Sequence, residues 1–219
     1  MFRKVYMMND AFYNLDEEKR QKIINSGLME FSNYGYQQSS TNRIVENAGI
    51  GKGMLFYYFK NKKGLFKFLV DYSLDFIEEY YFKQIDTSEK DIFNRLVKQA
   101  KIKSNLMTIH PHMSKFLTKI VLEESEHHYI SEEQDQHIKQ LQSKVQNALF
   151  EDLDKDLFKD NLNVEMSINI IKYSIDGLAE SMKTRITHQM IEQNDYQSFY
   201  DEFDLYIKEM RKIFYKDRD

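Results

Sequence analysis

The stretch SSTNRIVENAGIGKGMLFYYFKNK, residues 39–62, decides the fold of this chain. Two short helices flank its centre, where Ala48 is small enough for a close helix crossing, Gly49 allows a tight turn and Ile50 fills the core beside it. The residues that would face inward lie at helical spacing in both helices: Ile44, Val45 and Ala48 in the first, and Leu55 and Phe59, four positions apart, in the second. This pattern indicates a helix-turn-helix, whose second helix enters the DNA major groove.

The residues of this motif that should face outward suit contact with DNA. Lys52 is a cation at the start of the second helix, Gly53 lets the backbone approach closely, and Tyr57 and Tyr58 offer hydroxyls and aromatic edges. Lys62, where the next helix begins, can reach a phosphate. Glycine-rich turns also join helices in ordinary helical corners, so the spacing alone leaves that alternative open.

The charge of the chain is unevenly distributed. Residues 1–67 contain 11 Lys and Arg and 6 Asp and Glu, which gives a charge of +5. Residues 68–219 contain 20 Lys and Arg and 29 Asp and Glu, which gives a charge of −9. A basic N-terminal part suits binding to a polyanion, although uneven charge is also common on solvated surfaces.

The absence of cysteine excludes thiolate metal sites, disulfides and cysteine nucleophiles. With no secretory signal and no apolar segment long enough to span a membrane, we expect a soluble cytoplasmic protein.

Long tracts without glycine or proline predict an all-α fold of about nine helices. Six of the seven glycines lie in the first 64 residues, and the single proline is Pro111. A first helix should run over residues 16–34 and stop at Gly35, and Pro111 should begin a later helix. Asn163 and Asn194 are candidate N-caps of the last two helices.

A longer set of residues around the motif follows, in order, the pattern of a known family. It consists of Leu15-Asp16-Glu17-Glu18-Lys19-Arg20, Phe31, Gly35, Ser39-Ser40, Ile44, Ala48-Gly49-Ile50, Lys52-Gly53, Leu55, Tyr58-Phe59, Asn61-Lys62 and Leu65-Phe66. Over these positions the chain resembles the DNA-binding domain of TetR/AcrR family transcriptional regulators. Beyond them the resemblance is confined to the number and length of the helices. Gly51, Met54 and Phe56 depart from the family pattern, in which a capping serine, a small hydroxyl residue and a tyrosine are frequent.

The resemblance implies an N-terminal helix-turn-helix domain, residues 15–62, and a larger helical domain for effector binding and dimerisation, residues 63–219. Met54 and Phe56 should change which bases are preferred. The predicted DNA-binding residues are Ser39, Ser40 and Tyr58 at phosphates, Lys52, Gly53 and Tyr57 at or beside the bases, and in addition Thr41, Met54, Phe56 and Lys62.

The last two predicted helices can be interpreted without the family. Over residues 164–186 and 196–214, apolar residues cover more than half of the circumference, so each helix must bury two faces. A central helix in a monomer would have the same pattern and stays open as an alternative. The resemblance implies a two-fold homodimer, and the predicted interface residues are Ile168, Ile171, Ile175, Leu178, Met182, Phe199, Phe203, Ile207 and Met210.

Aromatic residues are numerous, with 16 Phe and 15 Tyr. Most must belong to the core, but tyrosine hydroxyls within an apolar helical domain also suit a cavity for a largely apolar or aromatic effector. The candidate pocket residues are Phe76, Tyr80, Phe93, Met107, Phe116 and Tyr173.

Histidines and acids cluster between residues 110 and 137. Glu123 and His127, like Glu124 and His128, are four positions apart and could face one metal ion on a helix. No established ligand motif is present, and a solvated, charged loop explains the cluster equally well. We therefore predict no metal site and no cofactor, with metal sensing as an open alternative.

These observations predict a ligand-responsive transcriptional regulator, a repressor that binds palindromic operator DNA as a homodimer and is released by a small, largely apolar effector. Its partners would be double-stranded DNA, the effector and a second copy of the chain, and not a membrane. We expect no enzymatic activity, because the sequence contains neither a phosphate-cradling GxxxxGK[ST] loop nor a GxSxG elbow. The alternatives are a metal-sensing regulator of the same fold and an all-helical interaction protein without DNA binding.

Overall fold

A computed structural model describes residues 10–86, 88–122 and 128–217, and these ranges are built from α-helices. The all-α prediction is confirmed. The described ranges hold two helices more than the nine predicted, and two of their helices, Asp10–Tyr13 and His188–Gln193, have only 4 and 6 residues. None of the described helices is both long enough and apolar enough to cross a membrane. In chain order they are α1 (Asp10–Tyr13), α2 (Glu17–Gln38), α3 (Thr41–Ala48), α4 (Lys52–Phe59), α5 (Lys62–Gln84), α6 (Ile92–Ile109), α7 (Pro111–Leu122), α8 (Glu132–Phe150), α9 (Val164–Arg185), α10 (His188–Gln193) and α11 (Gln197–Phe214).

Local signals set several helix ends. The Asp16 carboxylate accepts the Lys19 N–H at 2.8 Å and caps α2. Gly35 interrupts α2 with φ 64°, where the sequence predicted the stop, although three further residues continue in helical conformation. Asn163 caps α9 as predicted. Asn194 does not start α11: it ends α10 in the left-handed conformation, with φ 52° and ψ 36°.

The chain divides into two compact units. Unit one comprises the described residues up to Tyr80 and Met107–Lys139, and unit two comprises Tyr81–Leu106 and the described residues from Gln140 onward. Unit one therefore contains α7 and most of α5 as well as the helix-turn-helix, because these helices pack together.

The core of unit one is aromatic. Phe66 lies edge-on to Phe31 at 5.1 Å and to Phe116 at 5.2 Å between ring centroids, and all three side chains are buried. Phe116 comes from α7, which explains why this helix belongs to the same unit. On the other side of α5, Phe12 packs against the ring of Phe59 at 5.0 Å. Burial of these rings fixes α4 and α5 against α2.

Unit two is built around a second apolar cluster, held by buried charged groups. Arg95 donates to the backbone carbonyls of Ala148 at 3.2 Å and Asp152 at 3.3 Å, so that its guanidinium satisfies acceptors at the end of α8. Arg211 forms an ion pair with buried Asp91 at 2.6 Å. The cluster itself contains Ile92, Phe93, Leu96, Phe158, Ile171, Ile207, Met210, Phe214 and Tyr215.

Candidate nucleic-acid interface

Helices α3 and α4 form the helix-turn-helix, which we call the reading head. The turn between them fixes the angle at which they cross. Gly49 is left-handed, with φ 66° and ψ 35°, and its N–H donates to the Glu46 carbonyl at 3.1 Å. The N–H of Ile50 then reaches the Val45 carbonyl at 3.0 Å. A side chain at residue 49 would strain this conformation, so the glycine is required for the turn.

A buried carboxylate holds the reading head against α2. Glu30 accepts the Ser40 N–H at 2.7 Å, and the Arg43 Nε contacts its two oxygens at 2.9 and 3.0 Å. Ser40 also caps α3 through its hydroxyl. The carboxylate raises the pKa of the Arg43 guanidinium through this hydrogen bonding. This anchor was not predicted from the sequence, where its only signal is an acid, Glu30, next to the inward-facing Phe31.

Helix α4 has one buried and one exposed face. Leu55, Tyr58 and Phe59 are buried in the core of unit one. On the opposite side Tyr57 is 62% exposed, and the exposed Lys52 ammonium lies 5.9 Å from the Phe56 ring centroid. A cation, an aromatic ring and a phenol are thus presented together on one helix face, which suits contact with bases and phosphates.

The first turn of α4 leaves space for another molecule to approach its backbone closely. Gly51 occupies the N-cap position and makes no side-chain capping bond, as expected from the glycine at this position. A β-carbon added at Gly51 or Gly53 would meet nothing within 4 Å. Because the first amides of a helix lack intrahelical acceptors, this end can approach a phosphate oxygen.

The junction between α4 and α5 is tightly built. Asn61 accepts the Gly64 N–H at 2.8 Å through its side chain, starting α5 directly after the reading head. A β-carbon at Gly64 would lie 2.0 Å from the Phe59 carbonyl oxygen, so only glycine allows this approach. Lys60, between the two helices, has a positive φ of 65° with ψ −49°.

Three predicted DNA-binding residues have other roles in the structure. Ser39 is buried, and its hydroxyl donates to the Tyr36 carbonyl at 2.8 Å. Tyr58 is 6% exposed, with its ring in the core. Lys62 donates to the Ser39 carbonyl at 3.0 Å and the Gln37 carbonyl at 3.3 Å, at the end of α2. We therefore retain as surface candidates Ser40, Thr41, Lys52, Gly53, Met54, Phe56 and Tyr57, and add exposed Asn42 and Lys60.

The six predicted pocket residues do not form one group. Phe76 and Tyr80 stack at 6.0 Å in unit one, with the ring of His110 beside Phe76 at 4.7 Å. Phe116 belongs to the aromatic core of the same unit, and Phe93 to the core of unit two. Tyr173 is exposed, and Met107 is half-buried. Distant packing partners, which periodicity does not reveal, account for these differences.

The predicted dimer residues lie largely on the inner faces of α9 and α11. Ile171, Ile207 and Met210 are buried within unit two, and Ile168, Ile175 and Phe203 pack against the same cluster. Leu178, Met182 and Phe199 are half-buried. The large apolar residues that these two helices leave exposed are different ones: Met166, Ile170, Tyr173, Leu205 and Ile213.

The pairs Glu123/His127 and Glu124/His128 lie wholly or partly outside the described residues, since positions 123–127 are not described.

Comparison with known proteins gives a family match for the N-terminal part of the chain and a similar fold over most of its length. Residues 23–69 match the model of the family described as bacterial regulatory proteins, tetR family. The chain is similar to the structure of a TetR family transcriptional regulator from Chloroflexus aurantiacus J-10-FL, with 19% identity, a TM-score of 0.59 and coverage of 96% of this chain and 99% of that one. No curated protein was found to match the sequence.

Two further similar structures are of regulators with named ligands or roles. One is the transcriptional regulator FadR from Bacillus subtilis in complex with stearoyl-CoA, with 16% identity, a TM-score of 0.55 and coverage of 87% of this chain and 96% of that one. The other is the ketosteroid transcriptional regulator KstR2 of Mycobacterium tuberculosis, with 14% identity, a TM-score of 0.52 and coverage of 93% and 98%. At these identities the likeness is one of fold.

Proposed function

We propose that this chain, a TetR family regulator by its N-terminal domain and its fold, represses transcription in the cytoplasm by binding palindromic operator DNA as a homodimer. The observation that carries the proposal is the division of α4 into a buried face and a face that presents Lys52, Phe56 and Tyr57. The Gly49 turn and the Glu30–Arg43 pair hold that face in a fixed orientation, so it is organised before DNA arrives. A preorganised surface binds with a smaller entropic cost.

The exposed apolar residues of α9 and α11 support a dimer. Met166, Ile170 and Tyr173 recur at positions three and four apart, which places them on one stripe of α9. Leu205 and Ile213 on α11 are eight positions apart and also share a face. An apolar stripe of this kind on a monomer surface is typical of an interface. We therefore place the homodimer contact on these residues rather than on the inward-facing stripe.

The effector part of the proposal draws on the neighbours and on a small cavity in unit two. The FadR structure holds stearoyl-CoA, whose acyl chain is apolar, and KstR2 is named for ketosteroids, a largely apolar class of molecule. In this chain the cavity has room for about one water molecule. Ile85, Ile102 and Leu149 line it together with Gln99 and the charged residues Asp86, Arg95 and Lys98. The Gln99 Oε1 atom is buried without a hydrogen-bond partner among the described residues. An effector that donates one hydrogen bond to this oxygen would have to widen the cavity in order to enter it.

A binding-site selection with the full chain and random duplexes tests the proposal. We expect enrichment of an inverted repeat whose half-sites lie about one helical turn or a multiple apart, bound by two chains. Stearoyl-CoA serves as the first effector probe, and a coupled effector should weaken operator binding by roughly 5- to 150-fold. Failure to enrich any sequence, or a monomer bound to a single half-site, would show that the proposal is wrong.

A further inference from the structure

Three side chains with metal-ligand chemistry meet in unit one, away from the reading head. Asp75 and Glu78 lie on α5, and His137 lies on α8. One ligand atom from each of the three lies within 4.8 Å of the others. The Nε2 atom of His137 is 3.2 Å from the nearer Glu78 oxygen. Because Glu78 and His137 are 59 positions apart in the chain, sequence spacing could not reveal this group.

The separation of these atoms fits a shared cation. Two ligand atoms that are each about 2.1 Å from a tetrahedral ion lie about 3.4 Å apart, close to the Glu78–His137 distance. Neither side chain is fully enclosed: that of His137 is 15% exposed and that of Glu78 is 28% exposed. Water can therefore complete the coordination from the open side, as in sites with three protein ligands.

Helix α8 is fixed where it supplies the histidine. Gln134 is buried, and its Nε2 donates to the Lys67 carbonyl and to the Asp71 carboxylate of α5, both at 2.8 Å. Ser131 and Gln134 also cap each other's N–H groups at the start of α8. His137 follows Gln134 by three positions, so its ring stands over the next turn of α5. The ligands are thus held on two helices that are already joined.

We propose that Asp75, Glu78 and His137 bind one divalent first-row transition-metal ion, with Zn²⁺ as the representative ion. An imidazole nitrogen with two carboxylate oxygens selects such ions over Mg²⁺ and Ca²⁺, which prefer oxygen ligands alone. A bound dication also offsets the repulsion between the two nearby carboxylates. It would join α8 to the middle of α5. This departs from the sequence-based expectation of no metal site, and its test does not depend on DNA binding.

Calorimetric titration of the metal-stripped full chain with Zn²⁺ tests this site. We expect one ion per chain, no saturable heat with Mg²⁺, and at least about tenfold weaker Zn²⁺ binding in both His137→Gln and Glu78→Gln. His188→Gln is the matched control, because exposed His188 forms a similar pair with Glu192 at 3.8 Å. Unchanged affinity in the folded His137 and Glu78 variants, or no saturable binding by the natural chain, overturns the proposal.

A second measurement on the natural chain makes the test independent of how well the variants fold. The imidazole signals of its six histidines can be followed by NMR during the Zn²⁺ titration. The His137 signal should shift at substoichiometric metal, before the other five. If the signal of a different histidine shifted first, the ion would be bound elsewhere and the site would be refuted.

Discussion

Glu30 of α2 and Arg43 of α3 form an ion pair in which both carboxylate oxygens face the guanidinium and the carboxylate is buried. The ring of Tyr34 lies 4.2 Å from the Arg43 guanidinium carbon and covers the pair from the side. The same carboxylate holds the Ser40 N–H, at the residue that caps α3. The orientation of the reading head therefore depends on one acid, Glu30, that is itself buried.

Replacing Glu30 with alanine should weaken both folding and DNA binding. The change leaves the Ser40 N–H without its acceptor and the Arg43 guanidinium with the Gln38 carbonyl at 3.1 Å, which should lower the free energy of unfolding by about 1–3 kcal/mol. Urea denaturation and operator titration by fluorescence anisotropy measure the two effects. Glu18→Ala, which breaks the exposed pair with Lys22, is the control and should change neither. Equal stability of the two variants would contradict the structural role of Glu30.

Substitutions at Tyr57 and Tyr58 should separate an effect on DNA binding from an effect on folding. Tyr57→Ala removes an exposed ring, so stability should be kept while discrimination between operator and mutated operator falls by about 1–3 kcal/mol if the residue contacts bases. Tyr58→Ala removes a buried ring that lies 5.6 Å from Phe12, and should lower the free energy of unfolding by about 3 kcal/mol. The reverse pattern would mean that α4 is rotated from the orientation described.

Lys52 should contribute to the affinity for DNA through its positive charge. In Lys52→Ala, the slope of log affinity against log salt concentration should become shallower by about one, because one phosphate contact is lost. Lys208→Ala, at an exposed position of α11, makes the same change in net charge and should leave the slope unchanged. If both variants reduced the slope equally, the effect would come from overall charge rather than from a contact at α4.

The elements that were predicted well from the sequence have causes within a few residues. The break at Gly35, the left-handed Gly49 and the cap at Asn163 each follow from one backbone conformation or one side chain. The helix-turn-helix was predictable for the same reason. Asn194 was assigned to the wrong helix end because its side chain suits an N-cap, whereas its left-handed conformation ends the preceding helix.

The surroundings of the candidate site residues depend on contacts farther along the chain. Ser39 and Lys62 look like phosphate ligands in the sequence, but they bond to carbonyls at the end of α2. Periodicity indicated that α9 is apolar on two sides without indicating which side faces its own core, so Ile171 was predicted at the interface and Ile170 was not. Such assignments need the positions of partners that only the folded chain supplies.

Gly53 in α4 and Gly64 in α5 should differ in how they tolerate alanine. Gly64→Ala should be strongly destabilising, because its β-carbon would meet the Phe59 carbonyl oxygen. Gly53→Ala has open space and lies within α4, so it should stabilise the chain by roughly 0.5–1 kcal/mol. The added methyl should nevertheless weaken operator binding if this backbone approaches DNA. Thermal unfolding measures the stability of each variant, and fluorescence anisotropy measures its operator binding. An unchanged stability of Gly64→Ala would show that the junction between α4 and α5 is less tightly packed than in this structure.

Ile170 and Ile171 should distinguish the dimer surface from the core. Ile170 is 45% exposed and Ile171 is 0% exposed. Ile170→Asp should give a folded monomer with weak operator binding, whereas Ile171→Asp should fail to fold because it buries a charge. Sedimentation velocity and circular dichroism measure the outcomes. A dimeric Ile170→Asp with full operator affinity would place the interface on another surface.

The tight junction at Gly64 has a mechanical consequence for α5. From Leu65 to Gln84 this helix contains neither glycine nor proline, so it resists bending, and its first turn is fastened to the reading head. Lys62 and Asp75 are separated by about 20 Å along such a rod. A tilt of about 5° about its first turn displaces the level of Asp75 by about 2 Å over that length. A ligand that binds at Asp75 and Glu78 would therefore act on α5 far from the point where this helix joins α4. A small displacement of α5 at that level would change the angle at which α4 enters the DNA major groove in the proposed complex.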